Sequence, residues 1–191
     1  MRPMRTNGTK VFIAGSRRLS RLSKDVKRRI DNIVGRGLTV IVGDANGVDK
    51  AVQQYLSAMN YSNVLVFCME GGCRNNVGKW PTRDITAAPG ARGFAYFSTK
   101  DRAMVKEADY GLMLWDGKSH GTLTNIVDLV QQGRPVVVYL APAKSFVTLH
   151  ESEQLSDFLR SFDPAMLQRI ERDLHAATTS RHHHKADAPL F

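Results

Sequence analysis

Three short loops in this 191-residue chain join glycine to hydroxyl, carboxylate and guanidinium groups. They are "GSRR" (15–18), "GDANGVD" (43–49) and "DGKSHGT" (116–122), and each stands between an apolar run and a stretch of helical periodicity. Glycine lets a backbone come close to a ligand, and the N–H groups at a helix start suit a phosphate or carboxylate. One such loop is ordinary turn chemistry. Three at one sheet edge point to a ligand site, with Gly15, Ser16, Arg17, Gly43, Asp44, Gly47, Asp49, Gly117, Ser119, Gly121 and Thr122 as its candidate contacts. Arg17 offers bidentate donors to a phosphate. Arg18 reads as the start of a solvated basic face that runs to Arg29.

The carboxylates of these loops admit a second chemistry. Asp116 ends an apolar run at the binding edge and suits a ribose contact or a nucleophile. Asp101, in "TKDRAM", is the other candidate catalytic group, although at a helix start it would also stabilise the helix dipole. Asp44 and Asp49 serve equally as turn and cap residues. His120 could act as a general acid or base, although a histidine in a loop is more often incidental. Met104 and Trp115 would either cover a base or sit in the core.

The elements that must carry these loops follow from periodicity. "KVFIAG" (10–15), "LTVIVG" (38–43), "NVLVFC" (63–68), "DYGLMLW" (109–115) and "RPVVVYL" (134–140) are apolar runs of strand length. Between them, "DVKRRIDNIVGRG", "VDKAVQQYLSAM" (48–59), "TKDRAMVKEA" (99–108) and "TLTNIVDLVQQG" (122–133) carry apolar residues at three- and four-residue spacing. Continuously apolar strands alternating with helices predict a mostly parallel sheet covered on both faces. The fold class is therefore α/β, a Rossmann-like three-layer sandwich with C-terminal helices. Ligands of such sheets bind beyond the strands' carboxyl ends, where the three loops lie.

Residues 1–9 form a basic arm and 10–145 the Rossmann-like domain. Within it, 69–98 is a long Gly-, Pro- and Asn-rich loop or lid in which only "GFAYF" (93–97) has strand character. A helical extension covers 146–177, with Asp163 as N-cap and Pro164 at N1 of its second helix. The remaining 178–191, with three consecutive histidines, has no periodicity.

Twenty-seven Lys and Arg against 18 Asp and Glu give a formal charge of +9, which suits a polyanion or a phosphorylated ligand. No apolar stretch reaches the ~20 residues of a membrane span, and no secretory signal is present. A soluble cytoplasmic protein without membrane contact is expected. Cys68 and Cys73 then read as two structural free thiols, and no metal ligand set or cofactor is expected. There is no G-x-G-x-x-G, no phosphate loop of the G-x-x-x-x-G-K-[ST] type and no G-x-S-x-G elbow.

Together, "FIAGSRR", "VIVGDANGVDKAV" and "STKDRAM…ADYGLMLWDGKSHGT…GRPVVVY" resemble the SLOG superfamily over about residues 10–140. This superfamily includes the DNA-processing protein DprA, the LOG proteins and the YspA-like proteins. The resemblance is closest to the YspA-like branch, whose second loop reads "GGARGAD". Gly43, Gly47 and Asp49 match that loop, while Asp44 replaces its second glycine and would face a sugar hydroxyl or base amine. More distantly the chain is similar to nucleoside 2-deoxyribosyltransferases, with Asp116, Gly121 and Thr122 in the matching places. The resemblance implies binding of a nucleotide or nucleotide-derived molecule, and association of copies through the helices. The LOG motif P-G-G-x-G-T-x-x-E has its glutamate where this chain carries Asn125, which becomes a candidate ligand contact. N-glycosidic cleavage needs a carboxylate beside an oxocarbenium-like sugar, so a hydrolase or transferase would have to use Asp116 or Asp101. The DNA-processing relatives and the +9 charge imply a further alternative, a single-stranded nucleic-acid module.

Overall fold

The computed structural model describes residues 8–165, 168 and 172. Its strands are β1 (Lys10–Gly15), β2 (Thr39–Val42), β3 (Val64–Met69), β4 (Thr82–Ile85), β5 (Tyr110–Trp115), β6 (Val136–Leu140) and β7 (Ser145–Leu149). Its helices are α1 (Lys24–Gly35), α2 (Val48–Ala58), α3 (Gly93–Glu107), α4 (His120–Gln131) and α5 (Ser152–Arg160). The sheet order is β4-β3-β2-β1-β5-β6-β7, parallel throughout except for β7, which pairs antiparallel with β6.

The strands are apolar on both sides because both faces are covered. Phe12 and Ala14 of β1, Ile41 of β2, and Met113 and Trp115 of β5 enter one core with α3, α4 and α5. Their neighbours Val11, Ile13, Val40, Val42, Leu112 and Leu114 enter the other with α1 and α2. Strand alternation assigns successive residues to opposite layers. Helix ends obey local chemistry as well. The Ser23 hydroxyl accepts from Val26 N–H at 3.2 Å to cap α1, and Gly37, at φ +65°, turns the chain out of it.

Residues 93–97 are helical, not extended. Their aromatics favour a strand locally, but Phe94, Phe97, Asp101 and Met104 share one helical face, and α3 extends that period through Glu107. Tertiary packing overrides the local β preference. The stretch before it also holds β4, an exposed edge strand whose charged "TRDI" sequence gives no alternation signal. Residues 146–149 belong to β7, so an edge strand precedes the first C-terminal helix. That helix, α5, lays Phe158 and the following Phe162 on Trp115, with ring centroids 5.9 and 4.7 Å away. The Asp163 carboxylate accepts from Ala165 N–H at 2.9 Å, in keeping with its predicted cap role. Most of the helix expected after it, the tail 178–191 and most of the arm 1–9 lie outside the described residues.

The cysteines are paired. Cys68, at the end of β3, forms a disulfide with Cys73 across five residues, correcting the expectation of two free thiols. Short spacing in sequence carries no information about whether the intervening turn brings the sulfurs together. Among the described residues no helix is long and apolar enough to cross a membrane.

Phe12 is fully buried in the α3–α4 layer. Phe12→Ala should therefore cost about 3–5 kcal/mol, seen as a lower urea midpoint at unchanged slope. A loss under ~1 kcal/mol would mean that this layer does not hold the fold as described.

Candidate functional site

The strand order reverses between β1 and β5: the chain proceeds outward from β1 through β2 and β3 on one side, and from β5 through β6 on the other. A crevice opens at such a switch point because the adjoining loops diverge to opposite faces. Here it is a cavity of about 660 Å³ at the carboxyl ends of the strands, within the range that holds a small ligand.

Two loops form its nearest walls and are fastened to each other. The Ser16 hydroxyl donates to the Asp116 carboxylate at 2.9 Å, joining the ends of β1 and β5. The other Asp116 oxygen accepts from the N–H groups of Lys118 and Ser119, at 3.0 and 2.8 Å. Partial burial raises the Asp116 pKa, but these hydrogen bonds outweigh it and hold the group below the usual carboxylate range. Asp116 is thus a fixed anion beside the N-terminus of α4. The first turn of α4 contributes His120, Gly121 and Thr122 to the wall, and Thr122 donates to the Ser119 hydroxyl at 3.0 Å.

The third loop approaches from β2. Gly47 has φ +82°, and a Cβ there would collide with the backbone of Arg17, so glycine is needed where the two loops touch. A Cβ on Gly43 would strike the Asp49 carboxylate. These two glycines serve contact between chain segments and do not line the cavity. Asp49 lies just inside α2 and accepts from Ala45 N–H at 3.1 Å, closing its own loop.

Asp44 departs most from expectation. It is 2% exposed and lies outside the cavity lining. Lys100 of α3 and Arg74 both pair with it. Arg74 Nη2 lies 2.9 Å from one oxygen, and Arg74 N–H donates to the other at 3.0 Å. Burial pushes the Asp44 pKa up, but hydrogen bonds from Arg74 and Lys100 more than compensate and hold it far below the normal value.

Asp49 and Asp101 face the opposite balance. Burial dominates both, pushing Asp49 to about 7 and Asp101 to about 6, against the pull of Lys100 in each case. Asp101 stands in the middle of α3, not at a helix start. Asn125 hydrogen-bonds it, so this amide meets a carboxylate of the chain itself.

Of the residues singled out from sequence, Gly15, Ser16, Arg17, Asp49, Asp101, Asp116, Ser119, Gly121, Thr122 and Asn125 are brought together around the cavity. Gly43, Asp44, Gly47 and Gly117 are not. Trp115 is core, its indole donating to Ser119 O at 2.9 Å. Met104 is both core and cavity wall. Sequence reasoning missed Arg74, Phe94, Phe97 and Lys100. The helical spacing of Phe94, Phe97, Asp101 and Met104 was the available signal for α3; Arg74 offered none. At the mouth, the guanidinium carbons of Arg17 and Arg74 each stand 5.2 Å from the Phe97 ring centroid.

No family model and no curated protein matches the sequence. Solved structures of DNA processing protein A do match in fold. The Helicobacter pylori protein, which binds single-stranded DNA, superimposes with a TM-score of 0.54 at 16% identity, over 88% of this chain and 81% of its own. The Streptococcus pneumoniae protein gives 0.51 at 17%, over 70% of this chain and 50% of its own. The shared property is the fold. It is the Rossmann-like architecture expected from the strand and helix pattern.

The raised carboxyl groups yield a pH prediction. In the unfolded chain both titrate near the ordinary aspartate value of 3.8, below their folded values of about 7 and 6. Between those limits the folded protein binds more protons, so stability falls as pH rises and levels off above about 7. Asp44, depressed in the fold, acts oppositely: its contribution is present above its unfolded value and lost on acidification. Asp49→Asn should flatten the decline between about pH 4 and pH 7 in urea titrations. A slope identical to the wild type would show that Asp49 is ionised throughout.

Proposed function

We propose that the cleft binds nucleotide units, and that its ligand is single-stranded nucleic acid. One observation carries this reading: the Phe97 ring at the cavity, with the guanidinium groups of Arg17 and Arg74 both lying over it. A guanidinium held on an aromatic ring presents its own plane for a base to stack on, and its charge neutralises an adjacent phosphate. Below the mouth, Asp116, Ser119 and Thr122 offer acceptors and donors of the kind a sugar engages. Membership of the SLOG superfamily and a cytoplasmic location are parts of this proposal. The placement closest to the YspA-like branch rests on the "GDANGVD" loop alone.

Two observations favour a polymer over a free nucleotide. The Helicobacter pylori protein of similar fold binds single-stranded DNA. The cleft also adjoins a basic run: exposed Arg17, Arg18, Arg21, Lys24, Lys27 and Arg28 lead from its mouth along α1. The rival reading, a free nucleotide or nucleotide derivative, draws on the concavity of the site and its three carboxyl groups, Asp49, Asp101 and Asp116. These would repel a phosphate placed deep in the cavity and admit a sugar there.

The two separate by competition and salt. A labelled thymidine oligonucleotide of about 12 residues should bind with log K falling linearly against log salt concentration. Arg17→Ala should lower that slope by ~0.7, the loss of about one phosphate contact on a single strand. Thymidine monophosphate competing as well as the oligonucleotide would replace the polymer reading with the free nucleotide. Absence of oligonucleotide binding at low salt would end it.

A further inference from the structure

We propose that the Cys68–Cys73 pair is a thiol–disulfide switch that positions Arg74 and so sets the affinity of the cleft. The proposal rests on the nucleotide-binding reading above, because Arg74 is one of the two cations at Phe97.

The argument begins with what the disulfide joins. Cys68 is fully buried at the end of β3, in register with Asp84 of β4, and moves only with the sheet. Cys73 is half-buried at the far end of the turn Glu70–Gly72. Gly71 and Gly72 both have positive φ, at +99° and +108°, and the space a Cβ would take at either is open. Uncrosslinked, a turn with two glycines has wide conformational freedom. The disulfide closes it into a short ring and fixes Cys73 against the sheet.

The next residue is Arg74. Its backbone N–H, one peptide bond from Cys73, donates to Asp44, and its guanidinium pairs with the same carboxylate while lying over Phe97. The crosslink thus holds the backbone from which this side chain reaches both groups. Further along, the chain is anchored independently. Gln53 donates to Asn75 O at 3.1 Å and accepts from Val77 N–H at 2.9 Å, and the Trp80 indole donates to Tyr61 O at 2.8 Å. Met69 and Glu70 stay paired to Ile85 of β4, so reduction frees the turn from Gly71 to Cys73 next to Arg74 and leaves the segment from Asn75 onward in place. Lys100 remains on Asp44 in both states, so the buried carboxylate keeps a partner and the fold survives.

The chemistry balances through thiol–disulfide exchange with a small-molecule disulfide. The more exposed Cys73 attacks as thiolate, forming a mixed disulfide and expelling one small thiol. Cys68 then attacks Cys73 sulfur and expels the second. Two protein thiols are oxidised, one external disulfide is reduced, and both protons leave with the small thiols or solvent. Inside cells, disulfides of mesophilic proteins are usually transient catalytic or sensing pairs.

The test compares wild-type protein equilibrated in oxidised and reduced glutathione. Alkylation with mass spectrometry follows the pair, hydrogen exchange follows the amides of Arg74 and Asn75, and anisotropy follows the labelled oligonucleotide. Reduction should speed exchange at Arg74 while sparing Val77, and weaken binding about tenfold, as expected for one charge-assisted contact. Cys73→Ser should match reduced wild type in every state of the buffer. Equal exchange at Arg74 in both states, equal affinity in both, or thiols that never pair would overturn the switch. If neither state binds the oligonucleotide, the nucleic-acid reading fails, and exchange at Arg74 alone decides whether the disulfide controls this residue.

Discussion

The carboxylate of Asp44 cannot be buried without cations, and that requirement organises the site. Stripping a buried carboxylate of its partners costs about 3–5 kcal/mol, and here both Lys100 and Arg74 are brought to the same point. One cation comes from α3, the other from the segment after β3, and Asp44 itself follows β2. Three stretches distant in sequence are thereby locked around the end of the sheet. Lys100 then does further duty, since its charge also opposes the rise in pKa of Asp49 and Asp101.

This arrangement divides the cleft by charge. Its mouth carries Arg17, Arg18 and Arg74 around Phe97, while its interior carries Asp49, Asp101 and Asp116. The three interior carboxyls differ in state. Asp116 is held as an anion by donors at the start of α4, whereas burial favours the protonated forms of Asp49 and Asp101. A site of this kind attracts phosphate to its rim and presents both donors and acceptors below it. The proposed nucleotide would enter with its phosphates outermost.

The Ser16–Asp116 bond has an equivalent role for the backbone. It spans the switch point, where β1 and β5 are neighbours but the chain ends of both diverge into separate helices. Without such a fastening the two walls would be free to separate at their tips. The Gly47–Arg17 contact fixes the third loop against the first in the same manner. Glycines that read as ligand cradles in the sequence thus shape the cavity indirectly, by letting segments of the chain touch.

The sequence by itself determined the layered α/β architecture, because strands buried on two faces must be apolar throughout and amphipathic helices must alternate with them. It also determined which loops meet at the carboxyl edge, and ten of the residues singled out from it do line the cavity. It did not reveal that residues 93–97 are helical, that β4 and β7 extend the sheet, or that Cys68 and Cys73 pair. Edge strands bury little and need no alternation, and local aromatic content misleads where a helix supplies the packing partners. The partners of Asp44 were equally illegible: Arg74 and Lys100 lie 30 and 56 residues away. Only tertiary packing decides which charges share a low-dielectric site, and here it pairs Asp44 with Lys100 and Arg74.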